Sequence, residues 1–142
     1  MVLTFEIAGK PFGKQRPRVT RGGHAYTPKE TGIYENLIKV TFQTAYPDHI
    51  PVSEAGVRMD VRAVYPIPES WSKKKKMEAV AHLIRPKKPD ADNVYKIVAD
   101  ALNAIAYHDD AQIYDAHILK EYGLKPRLEV TIEIDDMMEV DS

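Results

Sequence analysis

The chain contains no cysteine. That excludes disulfide staples, thiolate zinc sites and cysteine nucleophiles, and it fits a cytoplasmic protein. It has no apolar run near the ~18 residues of a membrane-spanning helix. A signal peptide is not expected, because Thr4, Glu6 and Lys10 interrupt the N-terminal apolar stretch. No internal repeat or low-complexity tract is visible. Net charge is nearly absent too, at −1 over 142 residues. The balance hides an asymmetry, however. Residues 1–99 carry 17 Lys and Arg against 10 Asp and Glu, whereas residues 100–142 carry 3 against 11. A basic body suits a polyanion, and late carboxylates are available for a cation. Ordinary segregation of surface charge with an acidic tail gives the same numbers. The length suits one domain, 1–142, with a buried core and a frayed acidic tail at 135–142.

What is present is concentrated between Lys88 and Gln112. Val94, Ile97, Val98, Ala101, Leu102 and Ile105 recur at helical period and form one apolar stripe. At ~100° per residue, Asn93, Lys96, Asp100 and Asn103 fall on the opposite side within roughly 80°. Asp92 occupies the position of an N-cap. Asp90 lies two residues earlier, after Pro89, and in extended chain the two side chains point the same way. Asp109 and Asp110 follow on a loop or at a strand start.

Carboxylates this close repel one another unless a cation sits among them. An all-oxygen set suits Mg²⁺ or Mn²⁺, held by one or two carboxylates plus substrate phosphate oxygens. A neighbouring lysine suits the charge on a phosphate. Together they point to metal-assisted phosphodiester chemistry. Each residue alone also has an ordinary structural role: a cap, a polar turn, or an i,i+4 partner. A calcium loop of the EF-hand kind is excluded. Counted from Asp90, Val94, Tyr95 and Ala101 stand where a ligand, a Gly and a Glu are required.

The combination resembles the signature of the RusA family of Holliday-junction resolvases, crossover-junction endodeoxyribonucleases. It is carried by Lys88-Pro89-Asp90-Ala91-Asp92-Asn93, Lys96, Asp100-Ala101-Leu102 and Asp109-Asp110-Ala111-Gln112-Ile113. Many relatives have Gly after the helix Asn, where this chain has Ala104. The resemblance implies that Asp90, Asp92 and Asp110 are catalytic metal ligands and that Lys96 is required. Asp100 and Asp109 are then supporting positions. It further implies Mg²⁺, with Mn²⁺ able to substitute, a branched DNA substrate resolved by paired nicks in recombination and repair, and a homodimer. No membrane partner is expected.

The remainder of the chain fits around this segment. Val2 to Ala8 alternates as a strand. A Gly/Pro loop follows and gathers Lys10, Lys14, Arg16, Arg18 and Arg21, with Phe12, His24 and Tyr26 able to stack. Similar family members carry a comparable run, so these cations are expected on DNA. Thr27-Pro28 reads as an N-cap with Pro at the first helical position. The helix should run to about Tyr46 and bury Ile33, Leu37 and Val40, together with Thr41 and Tyr34. Val57 to Tyr65 alternates as a strand, with Val57, Met59, Val61, Ala63 and Tyr65 on one side. Arg58 and Arg62 on its other side are either solvated or turned to substrate.

Lys73, Lys74, Lys75 and Lys76 open a short helix through His82. They are either a solvated helix start or, with Trp71, a contact to DNA. Arg85, Lys87 and Lys88 adjoin the acidic segment and are expected on phosphate. Gln112 to Tyr122 and Arg127 to Ile134 are the last strands, and His117 on the first of them is taken as structural rather than a metal ligand. The order β-α-β-α-α-β-β implies an α+β domain, a mixed sheet with helices mainly on one face.

Overall fold

The computed structural model describes residues 1–15, 22 and 29–136, and the backbone of 18–19 and 25–26. Four strands form the main sheet: β1 (Val2–Ala8), β4 (Val57–Pro66), β5 (Ile113–Gly123) and β6 (Arg127–Ile134), in the spatial order β1-β6-β4-β5. A two-residue pair, β2 (Arg18–Val19) and β3 (Ala25–Tyr26), precedes the first helix. The helices are α1 (Lys29–Ala45), α2 (Lys73–Val80) and α3 (Ala91–Ala101). This is the α+β domain expected, with the β2–β3 hairpin added.

The sheet is mixed for a local reason. β1 and β4 each pair antiparallel with β6, whereas β4 and β5 run parallel. Parallel neighbours need a long crossover. Here residues 67–112, containing α2 and α3, supply it, so the acidic segment is laid beside the sheet by the connection itself.

Strand alternation decides which face is covered. Phe5, Val130, Val61 and Ile118 form one row across all four strands, and Ile7, Leu128, Ala63 and Lys120 form the next. The apolar members of these rows point into the core; Phe5, Val130, Val61, Ile7, Leu128 and Ala63 are buried. α1 packs on β1 and α3, and α3 packs on α1 and β5. Val94, Ile97, Val98, Ala101 and Leu102 are fully buried, as the apolar stripe predicted. Each large side chain so buried contributes roughly 1.5–3 kcal/mol. The other face of the sheet is largely polar. Arg62 and Glu129 face one another across β4 and β6 there, and Arg62 pairs with the buried Glu121.

The expected buried face of α1 is corrected. Ile33, Leu37 and Val40 are 60%, 43% and 49% exposed, while Thr31, Tyr34, Ile38 and Phe42 are buried. Both stripes have helical spacing, and tertiary contacts choose between them. Phe42 meets Phe5 edge-on at 5.8 Å and Tyr46 at 5.4 Å, which fixes the aromatic stripe inward.

The Asp92 cap is also corrected. Asp90 is the N-cap of α3, with extended backbone at φ −63° and ψ 150°, and Asp92 lies inside the first turn. The alternation argument for Asp90 and Asp92 therefore does not apply, because the chain is already helical at Asp92. Instead Asp92 joins the polar ridge, one turn before Lys96 and two before Asp100.

The expected N-cap at Thr27-Pro28, Arg16, Arg21 and His24, the side chains of Arg18 and Tyr26, and residues 137–142 of the acidic tail lie outside the described residues. Among the described residues no helix is long and apolar enough to cross a membrane.

Candidate active site

The site is built on α3 and on two loops held against it. At its N-terminal end, Asp90 and Asp92 stand exposed in or beside the first turn, where unpaired backbone N–H groups and the helix dipole favour negative charge. The Asp90 side chain makes no capping bond. Among the described residues neither carboxylate has an ion-pair partner within 4.0 Å.

The loop after β1 is clamped to this end of α3. The Lys14 N–H donates to the Asn93 carbonyl at 2.7 Å. Gly13 is required for the approach, since a Cβ there would meet Pro89 Cβ at 2.6 Å and Asn93 Cβ at 3.2 Å. The chain before α3 is pinned from the sheet: Lys120 Nζ donates to the Pro89 carbonyl at 2.9 Å and to the Lys87 carbonyl at 3.3 Å. Sequence reading did not single out Lys120, because an inward-facing lysine on a weakly alternating strand carries no signal of its target.

The middle of α3 carries the lysine. Lys96 Nζ lies 3.5 Å from Asp100 Oδ2, and Lys14 Nζ lies 3.3 Å from the same oxygen. Lys14 also pairs with Glu35 of α1. Its ammonium is thus held between two carboxylates rather than presented outward. Burial opposes that charge, but the hydrogen bonds and fields of Glu35 and Asp100 outweigh it, and the Lys14 pKa lies above the ordinary 10.5. Glu35 was not anticipated; nothing in its helical position distinguishes it from a solvated acid.

Asp109 and Asp110 reach the same face from the loop that follows. The Asp110 N–H donates to Asn103 Oδ1 at 3.1 Å. Asp109 caps a single 3₁₀ turn, Asp110–Gln112, accepting from the Ala111 N–H at 3.1 Å. Gln112 accepts from the Asp109 N–H at 2.9 Å and donates to the carbonyls of Val52 and Ala55 at 2.8 and 2.9 Å. The Asp-Asp-x-Gln run is therefore a built turn, with Gln112 as its anchor.

The two acids titrate as a pair. Burial, then hydrogen bonding to Asp109 and the charges of Asp109 and Asp100, push Asp110 above 3.8, while Lys96 opposes this. The Ala111 N–H, followed by hydrogen bonding to Asp110, holds Asp109 below 3.8. The charge of Asp110 also acts on Tyr95 and Tyr107, whose phenols are raised mainly by burial.

The carboxylates thus flank Lys96: Asp90 and Asp92 on one side, Asp100 and Asp110 on the other. Eight residues of helix separate Asp92 from Asp100, a rise of about 12 Å. Among the described residues no three carboxylates or imidazoles converge closely enough to hold one metal ion. The donor chemistry nevertheless fits Mg²⁺, which is commonly held by one or two carboxylates and completes its octahedron with water and phosphate oxygens.

Of the other cations expected on DNA, Lys10, Lys87 and Lys88 are exposed beside the N-terminal end of α3. The Arg85 guanidinium donates to the Lys120 carbonyl at 3.4 Å and lies 3.6 Å from Glu121. In α2, Ser72 caps the helix and accepts from the Lys75 N–H at 3.2 Å. Lys75 Nζ sits 4.1 Å above the Trp71 ring, which meets Tyr122 at 5.2 Å. Lys73, Lys74 and Lys76 lie on the same helix. His117 is on the polar sheet face, 3.0 Å from Asp115.

An exposed lysine among carboxylates, on a helix whose flanking loops are fixed by named bonds, has the groups that phosphodiester chemistry uses. Residues 8–133 match the family model described as Endodeoxyribonuclease RusA. The chain is also similar to the uncharacterized protein YqaN of Bacillus subtilis (strain 168), at 38% identity over 136 residues, covering 92% of this chain and 94% of that protein. With the match running from the last residue of β1 through α1, α3 and the Asp109-Asp110 turn to nearly all of β6, the chain belongs to the RusA family of endodeoxyribonucleases.

Proposed function

We propose that the chain is a Mg²⁺-dependent endonuclease that resolves four-way DNA junctions by symmetric paired nicks in recombination and repair, working as a homodimer. The observation that carries this reading is the polar face of α3, with Lys96 between two sets of carboxylates, inside a chain of a family of endodeoxyribonucleases. Asp90, Asp92 and Asp110 are the residues that would hold one or two Mg²⁺ ions, with no single ion taking all three carboxylates as they stand, and with Mn²⁺ as a substitute. When bound, the ion supplies Lewis acidity and a water of lowered pKa.

The protein's own part is placement and charge. Lys96, 60% exposed, is free to turn its ammonium to a scissile phosphate or to the attacking water, and Asp100 keeps it on that side of the helix. Lys14 ties α1, the loop after β1 and α3 into one frame, so the reacting groups sit on packed elements rather than on a free loop. Lys10, Lys87 and Lys88, with Arg16, Arg18 and Arg21, form the phosphate contacts, and Lys73 to Lys76 with Arg85 extend them along the same molecule.

Symmetric nicks on opposed strands call for two active sets related by a two-fold axis. The exposed apolar stripe Ile33, Leu37 and Val40 on α1 is a surface available to a second copy. The alternative is a metal nuclease of looser preference, such as a flap cutter. A cleavage panel of junction, flap, duplex and single strand, mapped on denaturing gels, separates the two. Paired cuts confined to the junction support resolution, and equal cutting of flaps supports the alternative.

A further inference from the structure

Two depressions meet beside the N-terminal end of α3. The larger, about 660 Å³, has Phe12, Gly13 and Pro89 in its walls and reaches Asp90 and Asn93. The smaller, about 240 Å³, is walled by Tyr65, Tyr122 and the rings of Pro66, Pro68 and Pro86. Lys10 and Lys88 line both, so the two form one groove with a pair of cations at its waist. Among the described residues Asp90 is the only carboxylate on either lining.

The inner part has the composition of a base pocket rather than of a phosphate site. Its walls are flat aromatic and proline surfaces, and Trp71 backs Tyr122 edge-on. Tyr65 is 3% exposed and its hydroxyl is closed off from the groove, so it forms a floor, while Tyr122 is partly exposed above it. The space equals several waters at the ~30 Å³ each takes in the liquid.

We propose that this groove takes one unstacked nucleotide next to the cut. Its phosphate lies on Lys10 and Lys88, and its base packs on Tyr122 and the proline rings over the floor made by Tyr65. This rests on the reading as a nuclease of branched DNA and adds where a nucleotide beside the cut is held. Bases at a branch point are the cheapest to unstack, so the pocket also favours junctions over plain duplex.

The test uses the full chain and four-way junctions carrying 2-aminopurine singly at each nucleotide around the mapped cut, first in chelator so that no cutting is needed. The expected result is a fluorescence change confined to one position and lost when Lys10 and Lys88 are both replaced by Ala. Each of Lys10→Ala and Lys88→Ala should also reduce the salt slope of binding by about one. A protein that binds without cutting yet shows the single-position signal retains the pocket and loses the nuclease reading. Cleavage with every reporter base unchanged overturns the pocket and leaves the nuclease reading standing.

Discussion

The Asp110 amide donates to the Asn103 side chain at 3.1 Å, and this bond brings a loop carboxylate to the helix face that holds Lys96 and Asp100. Because it uses the backbone of Asp110, it leaves the carboxylate itself available. It also remains open to any residue at 110 but proline, which has no N–H to donate.

Asp110→Asn should therefore keep the fold and lose the chemistry. The Asp110 pKa is raised, so its charged form is the disfavoured one. Its contribution to stability is present below 3.8 and is lost as pH rises through the raised value. Asp109, lowered, behaves oppositely: its contribution is present above 3.8 and is lost as pH falls through the lowered value. At neutral pH the variant should melt slightly higher than the wild type, with the gain vanishing on acidification, while cleavage falls about 100-fold or more. Thermal melts between pH 3 and 7 with parallel cleavage assays check this. A lower melting point at pH 7 would mean that the carboxylate is already compensated.

Lys96 and Lys14 share Asp100 yet should separate cleanly. Lys96→Ala removes an exposed i,i+4 pair worth no more than ~0.5 kcal/mol, and should cost cleavage about 100-fold with little loss of junction binding. Arg should rescue it poorly, because a planar fork does not replace a point charge. Lys14→Met leaves Glu35 without its lysine and should cost about 1–3 kcal/mol of stability. The Lys14 contribution is fully present below 10.5 and is lost only as pH rises through its raised pKa, so the loss should be constant across neutral pH. Urea titrations and single-turnover rates distinguish the two lysines.

Ala104 stands at φ +62°, in the left-handed region. A Cβ there costs about 1–2 kcal/mol, partly offset by the extra unfolded-chain freedom that Gly brings. Ala104→Gly should stabilise the domain by roughly 0.5–1 kcal/mol without changing cleavage. A destabilised variant would show that the methyl group makes a contact worth more than the strain.

Gly13→Ala is the converse. Its Cβ would fall 2.6 Å from Pro89 Cβ and 2.9 Å from Pro89 Cγ, so the loop or the start of α3 must shift. The expected cost is about 1–3 kcal/mol. Cleavage should drop further than binding, because the displaced residues adjoin Asp90 and no DNA-facing cation has been removed. Unchanged cleavage would mean that the position of Asp90 is not critical.

Much of this was legible in the chain because its cause is local. The inward stripe from Val94 to Leu102 and the alternation of Val57 to Tyr65 each follow from one element's own period. The acidic segment declared itself by residue type and order. What could not be read depends on partners far apart in sequence. α1 has two apolar stripes, and only the presence of Phe5 opposite Phe42 selects the aromatic one. Asp92 sits two positions from the true cap, and both Asp90 and Asp92 are good caps by type; the helix start is set by where Asp90 turns extended. Glu35 and Lys120 act through side-chain contacts to the loops that flank α3, and neither has a sequence pattern of its own; Asn103 was legible on the polar face, but its bond to the Asp110 amide was not.

The most direct test of the central claim is cleavage of a labelled four-way junction by the wild type and by Asp92→Asn, after chelation and re-addition of Mg²⁺, Mn²⁺ or Ca²⁺, with a gel shift at the same salt. The account predicts paired, symmetry-related nicks by the wild type with Mg²⁺ or Mn²⁺. It predicts binding without cutting in Ca²⁺, whose larger and looser coordination misplaces water and phosphate. For Asp92→Asn it predicts retained binding with cleavage lost. Robust cutting by the wild type in excess EDTA, or near-normal nicking by Asp92→Asn, would contradict it.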